Sequence, residues 1–182
     1  MTTVQDDAGV ERDWAPTIER ATTLAVELAR SGPAVVRGNA SEVMALAGAG
    51  SGGRGVDSTA TADDALEAAV ALSGRTGGVV AVSGPVDVVT DGSRVIRVGG
   101  GHPLLTRTTG AGCALGALTA GYVAVAGDRL TGTVAAHAHV ALAAEAAAAV
   151  CSGPGTFAAA WVDALDAVTP EDLLRADVRD ES

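Results

Sequence analysis

The sequence predicts an α/β protein with a mainly parallel central sheet, flanking helices and an alanine-rich helical C-terminal half. Three observations carry that reading. Short valine-rich runs alternate with helical patterns up to Val98, the strand–helix–strand order of a layered sheet. Two of those runs flank Asp91-Gly92, a strong hairpin signal. Beyond Gly99-Gly100-Gly101 valine gives way to alanine, and strand character ends. The chain has 182 residues, close to the ~150-residue prior for one domain, so residues 1–182 are read as a single domain.

Taken in order, residues 1–13 are polar and acidic and read as a flexible tail. Asp13-Trp14-Ala15-Pro16 marks a helix start, with Ile18, Leu24 and Leu28 at helical spacing up to Arg30. Ser31-Gly32-Pro33 stops that helix, and Ala34-Val35-Val36 forms a short strand with Arg37-Gly38-Asn39 at its end. A helix follows over Ala40–Ala47, then a glycine-rich loop to Gly55. Thr61-Ala62-Asp63-Asp64 supplies a hydroxyl cap and first-turn carboxylates for a helix to about Ser73. Gly78–Val82 is a continuous apolar run of the buried-strand type, and strands 86–90 and 94–98 form the hairpin. Helices are expected near 112–126, 131–150 and 155–168, and residues 170–182 read as a flexible polar tail.

Composition excludes several classes. The chain is 48% hydrophobic, enough to build a core. Its net charge of −10 repels nucleic acid and anionic lipid, so neither is an expected partner. All 12 basic residues are arginine, which removes a P-loop kinase with its phosphate-holding lysine. Four aromatics (Trp14, Tyr122, Phe157 and Trp161) are too few for base-stacking platforms. Cys113 and Cys151 do not make a disulfide framework, no secretory leader is visible, and no segment reads as a membrane span. A cytoplasmic protein is expected.

Thr108-Thr109-Gly110-Ala111-Gly112-Cys113 runs straight into an apolar helix. Small residues let backbone approach a ligand, and successive N–H groups at a helix start converge on an anion, as phosphoryl transfer requires. Cys113 falls in the first turn, where the helix dipole favours thiolate and a substrate proton could be accepted. The alternative is a plain glycine-rich helix entry with Cys113 as a small buried hydrophobe. Arg37 can fork onto phosphate oxygens, and Asn39 with Glu42 could offer two oxygens to Mg²⁺. The same spacing equally describes an asparagine cap with a capping-box glutamate. Gly50-Ser51-Gly52-Gly53-Arg54-Gly55 matches G-x-G-x-x-G, but it follows a helix instead of a strand, so dinucleotide binding is not expected. His102 reads as a turn residue, His137 and His139 as solvated or interface residues that cannot share a metal, and Cys151 as packing.

These stretches together resemble the hydroxyethylthiazole kinase family. The resemblance rests on Arg37-Gly38-Asn39-Ala40-Ser41-Glu42, Gly53–Ser58, Val82-Ser83-Gly84-Pro85-Val86-Asp87 with Thr90-Asp91-Gly92, and Gly101–Arg107 leading into Thr109–Cys113. It implies a ribokinase-like fold that uses ATP and Mg²⁺ to phosphorylate the hydroxyl of 5-(2-hydroxyethyl)-4-methylthiazole, in a homo-trimer. It also implies that Arg37 and Ser83 contact ATP, that Ala111 and Gly112 form the anion hole, and that Gly110 lines the alcohol site. Cys113 would be the catalytic residue, with Glu42, through water, and Asn39 at the magnesium. Pro85 stands where the family usually has an acidic residue, and the family's N-terminal third has no counterpart in this sequence. The chain is therefore read as the C-terminal two-thirds of such a kinase. The alternatives are a shortened, catalytically impaired homologue that binds nucleotide or completes an oligomer, and a kinase for another vitamin alcohol.

Overall fold

Residues 3–5, 11–13, 15–48 and 60–182 are described by a computed structural model of the chain. It opens with β1 (Thr3–Gln5) and β2 (Glu11–Asp13), paired antiparallel where the sequence suggests only a flexible tail. Helix α1 (Ala15–Arg30) leads to β3 (Val35–Asn39), so Arg37 lies within the strand instead of beyond its end. Helix α2 (Ala40–Ala47) starts from a complete capping box and ends at Gly48. Asn39 Oδ1 accepts the Glu42 N–H at 2.9 Å, and Glu42 Oε2 accepts the Asn39 N–H at 2.8 Å. The Gly53–Ser58 stretch and the Gly50–Gly55 glycines lie outside the described residues.

Helix α3 (Leu66–Thr76) begins later than its hydroxyl cap suggests, because Thr61 and Asp64 cap a turn ahead of it. Strands β4 (Val79–Ser83), β5 (Asp87–Thr90) and β6 (Val95–Val98) follow. Asp91 closes the hairpin between the last two: its Oδ1 accepts the N–H groups of Ser93 and Arg94 at 2.9 and 2.8 Å. A 3-10 turn (Pro103–Arg107) leads into α4 (Ala111–Val125), α5 (Arg129–Val150) and α6 (Pro154–Ala167). The last residues are not a loose tail. They form α7 (Pro170–Leu173) and β7 (Val178–Asp180), which pairs with β6.

The five-stranded sheet has the order β3-β4-β5-β6-β7. The α/β class stands, but the sheet is mixed instead of mainly parallel: β3 and β4 are parallel, and the other three pairs are antiparallel. The cause is local. A parallel neighbour needs a crossover of a dozen or so residues, and the connections after β4 and β5 are too short for one.

Alternation along β4 sets the layers. Val80 and Val82 face Val43, Ala65, Ala69 and Leu72 of the α2–α3 layer. Val79 and Ala81 face the opposite way, with Val89, Ile96, Leu130 and Ala138, toward α5. A further cluster joins Leu115 of α4, Val140 and Ala144 of α5, and Phe157 and Trp161 of α6. Helix α5 is long and apolar enough to cross a membrane by length and composition, yet half of its most apolar window is buried here. It serves as the core helix between sheet and outer helices.

Candidate active site

A cavity of about 540 Å³ opens where the carboxyl ends of β3 and β4 meet the N-terminus of α4. Parallel strands with a helix start above them gather side chains and amide donors at one place. Arg37, Asn39 and Ser83 line it from the strands, Ala111 and Gly112 from α4, and Gly100, Gly101 and His102 from the glycine turn.

Arg37 ties the three segments together. Its Nη2 donates to Ser83 Oγ at 2.9 Å and its Nη1 to the Gly112 carbonyl at 3.2 Å. The Nε is buried and has no partner. Among the described residues no carboxylate lies within ion-pair distance of this guanidinium. A cation held only by neutral oxygens is poised to exchange them for an anion. A Cβ on Gly112 would stand 3.4 Å from Arg37 Nη1, so a small residue there keeps the guanidinium in its slot.

Gly110 caps α4 at φ +89°, in the left-handed region that favours glycine. The N–H of Ala111 donates to the Thr108 carbonyl at 3.2 Å, so it is already engaged. The donors left at the helix start are the N–H groups of Gly112 and Cys113, one residue further on than the sequence suggests. Cys113 is exposed, which removes the reading of it as a buried hydrophobe. It is not among the residues lining the cavity wall.

The Asn39–Glu42 alternatives separate here. Asn39 Oδ1 accepts both the Glu42 N–H and, at 2.7 Å, the Ser41 hydroxyl, which occupies its two lone pairs. Glu42 uses Oε2 in the box and leaves Oε1 outside it. Among the described residues no three His, Cys, Asp or Glu side chains are grouped as a metal site. A Mg²⁺ ion that takes a single carboxylate, with phosphates and water completing the shell, fits Glu42 and not Asn39.

Two histidines depart from the sequence reading, since His137 and His139 are both buried. His137 Nδ1 bonds Asp87 Oδ2 at 2.6 Å, while His139 joins Tyr122 at 2.6 Å and the Leu165 carbonyl at 2.8 Å. They point to opposite sides of α5, as a two-residue spacing requires. Asp87 and His137 both line the cavity and were missed as site residues. The signal was available: His137 falls inside an uninterrupted apolar helix, where a polar ring needs a specific partner.

Comparison with known proteins bears on the family and the fold. The model of the hydroxyethylthiazole kinase family matches residues 15–171. The chain belongs to that family. It is 63% identical over 161 residues to a hydroxyethylthiazole kinase of Kineococcus radiotolerans, covering 88% of this chain and 58% of the relative. The corresponding Clavibacter sepedonicus protein is 52% identical over 150 residues, 82% of this chain and 54% of the relative. A solved structure of the hydroxyethylthiazole kinase protein from Pyrococcus horikoshii OT3 superposes with a TM-score of 0.79 at 32% identity, over 93% of this chain and 63% of that one. The ribokinase-like fold expected of the hydroxyethylthiazole kinase family is thus present, and the chain spans under three-fifths of the length of these two curated relatives.

Proposed function

We propose that the chain forms the phosphate-handling part of a kinase that transfers a phosphoryl group from ATP to the hydroxyl of 5-(2-hydroxyethyl)-4-methylthiazole, in thiamine salvage. The observation that carries this reading is the convergence of Arg37, Ser83 and the first turn of α4 on one cavity. Arg37 exchanges the Ser83 hydroxyl and the Gly112 carbonyl for phosphate oxygens, since charge-assisted hydrogen bonds are about twice as strong as neutral ones. Ser83, released, donates its own hydroxyl to the nucleotide. The N–H groups of Gly112 and Cys113 meet charge developing on the transferred group. Gly110 shapes the alcohol site through its left-handed turn, and Ala111 forms wall. Cys113 accepts the proton of the attacking hydroxyl. Mg²⁺, when bound, neutralises phosphate charge, and Glu42 is the donor this chain offers it, through water.

The working form in this reading is a cytoplasmic homo-trimer. An apolar groove on α4, lined by Ala117, Leu118, Gly121, Tyr122 and Val125, supports association, since Val125 is 85% exposed. The test is ATP- and Mg²⁺-dependent phosphorylation of the thiazole alcohol by the parent and by Cys113→Ala. A loss of about 100-fold in turnover is expected in the variant, the usual worth of a positioned base. Equal turnover in the two proteins would remove Cys113 from the mechanism, and nucleotide binding without any turnover by the parent would leave only a binding role.

A further inference from the structure

His137 is 1% exposed on α5, and its Nε2 has no partner, yet its Nδ1 reaches across to a strand of the sheet. There it meets Asp87 Oδ2 at 2.6 Å, and the other carboxylate oxygen accepts the Gly84 N–H at 2.8 Å. Gly84 is the neighbour of Ser83, whose hydroxyl accepts from Arg37 at 2.9 Å. A continuous relay of hydrogen bonds and one peptide link thus runs from the core helix to the guanidinium.

From this relay we infer that His137 is a positioning residue for the nucleotide site, acting through Asp87 on the Ser83–Asp87 turn; the inference rests on the function proposed above. Between the paired Val82 and Val88, the turn makes few side-chain hydrogen bonds of its own among the described residues. Pro85 has no N–H, Gly84 has no side chain, and both are exposed on the cavity rim. Asp87 closes it by accepting the Gly84 N–H, and a carboxylate can do so in several rotamers unless its second oxygen is fixed. The ring on α5 supplies that second constraint. A purely structural role would be met by an apolar side chain, which would pack on the sheet without the desolvation cost of imidazole. The Nδ1–H also faces a carboxylate that belongs to the cavity wall and not to the core.

The test compares His137→Leu and His137→Asn with the parent chain. Asparagine carries an N–H group near the Nδ1 position and so retains the bond to Asp87, whereas leucine keeps bulk alone. Calorimetric binding of ATP with Mg²⁺ is expected to weaken about tenfold in His137→Leu and to stay at the parental value in His137→Asn. Amide hydrogen exchange separates local loosening from a general loss of fold: peptides spanning residues 84–87 should exchange faster in His137→Leu, with α3 and α6 unchanged. Parental affinity in His137→Leu, or equal weakening in the two variants, would overturn the inference alone. Failure of the parent to bind ATP would overturn it together with the proposed function.

Discussion

At the scale of single residues, Arg37 matters most because, among the described residues, it alone bonds its side chain to both β4 and α4 at the cavity. Its planar fork lets two nitrogens serve two acceptors at once, which an ammonium group on a flexible stem does not reproduce. Arg37→Lys should therefore weaken ATP binding by about tenfold or more while moving thermal stability little, as calorimetry beside a melting curve would read. The sequence places Arg37 at the mouth of a strand, and the structure sets it within β3 with its side chain on the cavity wall. The pairing of Asp87 with His137 was not legible, because they stand 50 residues apart and only the packing of α5 on the sheet brings them together. Asn39 and Glu42 show the opposite limit: spacing alone described a cap and a metal site equally, and the structure shows the cap.

At the scale of elements, the β5–β6 hairpin was readable because Asp91-Gly92 has a local cause for turning. Its pH dependence follows from the same bonds. Burial alone would push the Asp91 carboxyl up, but the N–H donors of Arg94 and Ser93 outweigh it, with the Ser93 hydroxyl and the Arg94 guanidinium adding to them. The carboxyl is held well below the usual carboxylate range. A depressed folded value means the carboxylate stabilises the fold above the unfolded value near ~4, and that this contribution is lost as pH falls below it. Replacement by alanine should cost about 1–2 kcal/mol at neutral pH. Chemical denaturation of parent and Asp91→Ala should show that gap closing below pH ~4. Helices α4 to α6 were legible for a different reason, since glycine and proline punctuate long alanine runs. Strand β7 was not, as three exposed residues carry no alternation to read.

At the scale of the whole molecule, the C-terminal residues close one side of the sheet. Arg97 on β6 pairs with Asp63 ahead of α3 and with Glu181 beyond β7, at 2.6 and 2.7 Å. Ending the chain after Leu174 would remove β7 and bare the backbone of β6, a template for pairing with other chains. A loss of about 2 kcal/mol, or roughly 4–8 °C in melting temperature, is expected, with light scattering rising on storage. The other side of the sheet is different. Among the described residues β3 is the outermost strand, bonded to β4 alone, and it carries Arg37. The phosphate contact proposed for Arg37 would thus inherit its stiffness from a single flank. A polypeptide lying along the free flank of β3 would raise affinity by stilling the strand, at a distance from the ligand and without touching it.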